Sequence, residues 1–252
     1  MGISTEGINS LHLQEKIKKD LKVFLNEIFD LYRDDLVSII AFGSCVSSDF
    51  NSDSSDINLL VIYSDLNIVD LDHVAMIAQR WARKRNFAPR FLSRKNLTDS
   101  ARYFQIDMLE MKDSHIILCG EDILQQVPVD EKNMLWQLSH DLKSIRMRIK
   151  QQYWRSSGNP VMMKNILVKR FTSLAHLARV MLFLMKKQPP SSLRDVMTAA
   201  QKEFGLSGEF IEKMFNIKSG RLKPGRKELA SYFQELMDLI RSLDNAADGI
   251  RL

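Results

Sequence analysis

Four polar residues in the first half of this chain are spaced so that they can work together. Phe42-Gly43-Ser44 closes a short apolar run, and after eleven intervening residues the chain reads Asp56-Ile57-Asn58-Leu59-Leu60-Val61. A glycine at a strand end lets the backbone turn close to a bound group, and the N–H groups of the turn that follows point at an anion. Asp56 and Asn58 stand two apart on the next strand, so both project from one face of a sheet. Hard oxygen donors in that position suit Mg2+ beside a phosphate cradled by Gly43 and Ser44. A further oxygen donor, Asp107, lies in Phe104–Met111. Read at period two, this stretch is a strand with Asp107 and Leu109 on one face and Ile106, Met108 and Glu110 on the other. Glu110 is the competing acid on that opposite face.

A Gly-Ser strand cap, a spacer of this length and an acid-x-polar strand together resemble the polymerase-beta-like nucleotidyltransferase superfamily, in its minimal and aminoglycoside-type branches. The resemblance covers roughly residues 30–124. It implies a nucleoside triphosphate, ATP first, bound with two Mg2+ ions, and transfer of a nucleotidyl group, AMP, to an acceptor. Position by position it implies that Gly43 and Ser44 hold the triphosphate and that Asp56 binds metal. Asn58 stands where the second metal-binding acid belongs, and Asp107 is the third acid, which helps activate the attacking hydroxyl. Asn58 is the departure. An amide oxygen can coordinate Mg2+ but brings no negative charge, and the two-metal reaction relies on charge to hold both cations. The resemblance therefore carries two functional expectations. One is a nucleotidyltransferase with catalytic Asp56 and Asp107. The other is an inactive nucleotide-binding or interaction module that keeps the fold.

The elements that would position these residues follow from periodicity. Ile17, Leu21, Phe24, Ile28 and Leu31 mark an amphipathic helix from about Leu11 to Tyr32. Buried strands follow at Leu36–Phe42 and Ile57–Tyr63, a helix at Val69–Arg85, and further strands at Pro89–Leu92, Phe104–Met111 and His115–Leu118. After about Val127 every apolar stripe is helical, with at least four helices. The reading is an α+β, mixed-sheet nucleotidyltransferase domain over residues 1–124, then an all-helical bundle over 125–252 that resembles a substrate-binding module.

Composition bounds the partners. Apolar residues make up 45% and charged residues 27%, which suits a folded chain rather than a disordered one. The longest apolar run, Val180 to Met185, is far too short to span a membrane, and the first residues carry no apolar signal core. Two cysteines without metal-ligand spacing, Cys45 and Cys119, fit a reducing cytoplasm. The net charge of +5 is unevenly spread: 14 Lys/Arg face 19 Asp/Glu in residues 1–124, against 22 and 12 in residues 125–252. An acidic half concentrates cations and a basic half attracts phosphates, although the two halves would also attract each other. The acceptor class stays open between a small molecule, a nucleic acid and a protein, and a Met- and Arg-rich helical half is compatible with a homodimer. Lys143, Arg146, Arg148, Lys150 and Arg155 spread around their helix and read as a solvated face. Arg170 and His176 have the Arg-x-x-x-x-x-His spacing of a helical-domain ribonuclease, the third functional expectation. Set against it is a histidine packed at a helix interface.

Overall fold

The computed structural model describes residues 2–252 apart from 32–33, 48–49, 51, 53–54, 66–67, 85, 157 and 191. Tyr32, Arg85 and part of the polar stretch from Cys45 to Ser55 therefore lie outside the described residues. The chain divides into two compact units, Met1–Asp130 and Glu131–Leu252.

In the first unit α1 (Thr5–Ser10) and α2 (Glu15–Leu31) precede the central strands β1 (Leu36–Phe42) and β2 (Ile57–Tyr63). Then come α3 (Ile68–Lys84), β3 (Phe87–Ser93), α4 (Arg94–Ala101), α5 (Gln105–Asp113) and β4 (His115–Gly120). The sheet order is β3-β2-β1-β4; β1 runs antiparallel to β2 and β4, and β2 runs parallel to β3. The parallel pair needs a long crossover, which α3 supplies. β1 and β2 are almost wholly buried because both faces of the sheet are covered, and this explains their unbroken apolar sequence. Alternate residues separate the two layers. Ile39, Ala41, Leu59 and Val61 pack with Leu21, Phe24 and Ile28 of α2 and Trp81 of α3. Ile40, Phe42, Leu60 and Ile62 pack with Leu97 of α4 and Met108 and Met111 of α5. β3 is an edge strand, where Pro89 is tolerated without breaking a ladder on both sides.

One expected strand is a helix. Phe104–Met111 forms α5, with Ile106, Met108, Leu109 and Met111 buried. Gln, Met, Leu, Glu and Lys are good helix formers, and the stretch holds a single β-branched residue, Ile106. Buried Gln105 anchors the helix start: its amide donates to the Ala101 carbonyl at 2.6 Å and its side-chain oxygen accepts from the Asp130 N–H at 2.6 Å. Asp107 sits in the first turn, where the helix dipole favours a carboxylate.

The second unit holds α6 (Glu131–Ser156), α7 (Pro160–Leu184), α8 (Leu193–Phe204), α9 (Gly208–Lys218) and α10 (Arg226–Asp248). α7 is the buried centre, packed against the other four helices of this unit. Asn159 caps it, accepting from the Val161 and Met162 N–H groups, and Pro160 at its first position has no N–H to leave unsatisfied. Phe171 meets Phe210 and Phe215 of α9 edge-on. Buried Asp244 of α10 accepts from Arg146 at 2.7 Å and Lys143 at 3.2 Å, clamping α10 to α6.

Candidate functional site

The strand cap takes the conformation its sequence requires. β1 ends at Phe42, and Gly43 follows with φ of +77°, a left-handed value that side chains other than glycine resist. Gly43–Val46 then make one 3-10 turn. Cys45 is its floor: it is fully buried, and its thiol donates to the Phe42 carbonyl at 3.3 Å. Burial pushes the Cys45 thiol up to about 11, so it stays protonated and serves as packing rather than as a nucleophile. Gly43 is exposed and Ser44 half-buried above it.

Register places the other residues around this turn. Phe42 is paired with Asn58 across β1 and β2, and a Cβ on Gly43 would lie 3.0 Å from the Asn58 side-chain nitrogen. Asn58 therefore packs directly beside the turn. Asp56 is exposed, two residues earlier. Asn58, Leu60 and Ile62 alternate onto the face covered by α4 and α5. On β3 their parallel partners are Ala88, Arg90 and Leu92, which share that face. Arg90 is the residue that sequence reading missed. Its guanidinium lies 5.4 Å from the centre of the Phe42 ring, and its Nη1 is 3.6 Å from Oδ1 of Asp107. Asp107 is thus tied to the strand tip through Arg90 and from a helix, rather than from a neighbouring strand. The expected strand placement of Asp107 is corrected accordingly. His115, opposite Phe42 on β4, has its ring nitrogens 3.2 Å from both the Lys112 carbonyl and Asp122 Oδ2.

Among the described residues this edge of the sheet brings together a Gly-Ser turn, one amide, one exposed carboxylate and one guanidinium with its own carboxylate partner. Among the described residues no group of three or more His, Cys, Asp or Glu side chains is arranged to hold a metal ion.

The other candidates are differently placed. Arg170 donates to Gln152 at 2.9 Å, and burial and Arg148 lower its pKa, while His176 is half-buried on the same helix. Six residues set these two side chains about 120° apart around α7. The basic residues Lys143, Arg146, Arg148, Lys150 and Arg155 of α6 are all exposed, and Lys143 and Arg146 also hold Asp244. The same helix exposes Trp136 and Trp154. No helix among the described residues is long and apolar enough to cross a membrane.

No family model matches the chain, and no curated protein matches it by sequence. Among solved structures, a spectinomycin adenyltransferase from Enterococcus faecialis, determined with ATP and spectinomycin, superposes with a TM-score of 0.58 at 11% identity. The match spans 91% of this chain and 99% of that one. A nucleotidyltransferase-like protein from Exiguobacterium sibiricum is also similar, at 14% identity over 88% of this chain and 75% of that one. Its TM-score of 0.34 is too low to bear on the fold. The first match runs through the mixed sheet and the helical bundle alike, and this chain accordingly shares the fold of that adenyltransferase, a mixed-sheet domain followed by a helical bundle.

Proposed function

We propose that this chain binds a nucleoside triphosphate, ATP, at the Gly43–Ser44 turn, as a nucleotidyltransferase-fold protein with little or no transfer activity of its own. One observation carries the reading: Asn58, not an acid, packs beside Gly43, and Arg90 shares its sheet face. Gly43 leaves the turn open to an approaching phosphate, and Ser44 supplies a hydroxyl and an N–H beside it. A pair of Mg2+ ions held by the protein fits this donor set poorly. Among the described residues Asp56 is the one carboxylate between Ser44 and Asn58, Asn58 offers a neutral oxygen, and Asp107 lies on a helix 3.6 Å from Arg90.

A second reading, Mg2+-dependent transfer of AMP from ATP to an acceptor by Asp56 and Asp107, is favoured by Asp56 beside the turn. The fold shared with an enzyme solved with ATP and spectinomycin also favours it. On that reading the acidic first half suits a cationic small molecule as acceptor, and the basic second half an anionic one. Calorimetric titration of ATP and GTP, with Mg2+ and with EDTA, into the wild type and Asn58→Asp separates the two. Binding by the wild type in EDTA, without release of pyrophosphate when acceptors are added, supports the first reading. Binding that needs Mg2+ and pyrophosphate release stimulated by an acceptor supports the second. No binding by either protein overturns both.

A further inference from the structure

The geometry points to Arg90 as the phosphate-binding cation of this site, a guanidinium that neutralises the triphosphate where a divalent metal ion would otherwise do so; this rests on the ATP-binding reading above. Arg90 is paired with Leu60, two residues inward from Asn58 on β2. Asn58 is thus about 6.6 Å along the strand and one strand spacing of about 4.8 Å across from Arg90, a distance that an extended arginine side chain largely covers. Its guanidinium does return to the strand tip, because it lies 5.4 Å from the Phe42 ring centre, and Phe42 is both the register partner of Asn58 and the residue before Gly43. The Phe42 ring face holds the cation in place, and the planar guanidinium fork matches a phosphate in two-point contact.

The side chain is half-exposed, and so is that of its partner Asp107. At 3.6 Å their contact is longer than a charge-assisted hydrogen bond, and an exposed pair of this kind contributes little, so a triphosphate can displace Asp107 from the guanidinium. Asn58 in place of an acid removes one negative charge from this edge, and Arg90 sets one positive charge at its tip.

The test is ATP titration by calorimetry into full-length wild type, Arg90→Gln, Arg90→Lys, Asp107→Asn and Ser44→Ala, each in EDTA and in Mg2+. Thermal melting confirms that each variant is folded. Wild-type affinity in EDTA is expected within about threefold of that in Mg2+. Arg90→Gln should weaken binding in EDTA about 10- to 100-fold, the loss of charge-assisted hydrogen bonds, with Arg90→Lys in between. Asp107→Asn should bind as tightly as the wild type or more so. ATP affinity that falls in Ser44→Ala but is unchanged in folded Arg90→Gln overturns the role of Arg90 and leaves the ATP site standing. Wild-type binding that vanishes in EDTA overturns it equally. No ATP binding by the wild type in either buffer removes both the site and the inference.

Discussion

Replacing Gly43 with alanine perturbs the backbone of the turn and its contact with Asn58 in one step. At φ of +77° an L-residue is in the left-handed region, which costs about 1–2 kcal/mol. The new Cβ would also meet the Asn58 side-chain nitrogen at 3.0 Å, so that amide must shift by a few tenths of an ångström. Alanine narrows the unfolded ensemble, which offsets about 0.4–1 kcal/mol. The net expectation is a loss of about 1 kcal/mol, or roughly 3–5 °C in melting temperature for a unit of this size. Urea and thermal unfolding measure it. In the double variant Gly43→Ala/Asn58→Ser the crowding is gone and the backbone strain is kept, so only part of the loss should return. ATP affinity measured in parallel should fall by about tenfold or more, because the methyl group stands where a phosphate approaches. A Gly43→Ala protein that melts within about a degree of the wild type and binds ATP equally well would refute both the left-handed turn and its role as a cradle.

Four other outcomes follow from the structure. Cys45 should resist thiol reagents at pH 8 in the folded protein and react on urea unfolding; rapid native labelling would contradict its burial. Its pKa, raised by burial to about 11 from an ordinary value of 9.0, means that the unfolded chain gives up this proton first. The stabilisation from Cys45 is therefore complete below about pH 9 and lost as pH rises towards 11, so unfolding midpoints of the wild type should fall across that window more than those of Cys45→Ala. Asp244→Asn keeps the shape of the α6–α10 clamp and removes its charge, and should cost about 1–3 kcal/mol in urea unfolding; no change would mean that Lys143 and Arg146 hold nothing there. Lys186, at φ of 60° just beyond α7, should tolerate glycine with a gain of between zero and about 1 kcal/mol. A loss above 1 kcal/mol on Lys186→Gly would show that its exposed ion pair with Glu131 matters more than its backbone.

Much of the architecture is written in local pattern. The runs at Leu36–Phe42 and Ile57–Tyr63 announce themselves as buried strands because a sheet covered on both faces needs apolar residues at every position. Gly43 and Ser44 at the end of one strand, and Asn58 near the start of the next, are adjacent in space because the strands are antiparallel neighbours with Phe42 opposite Asn58. The all-helical second half follows from period 3.6 and from stops such as Asn159-Pro160 and Gly205, which are local signals too.

What the pattern does not contain is which segments face one another. Gln105–Asp113 reads equally well at period two and as a helix, and its packing of Met108 and Met111 against Phe42 and Leu60 selects the helix. That choice moves Asp107 off the sheet. Arg90 looks like any charge on an edge strand until the parallel register with β2 sets it on the face of Asn58 and brings its guanidinium over Phe42. Strand register and helix docking are fixed by burial between residues far apart in sequence, so the charge at the strand tip is decided only when the core closes.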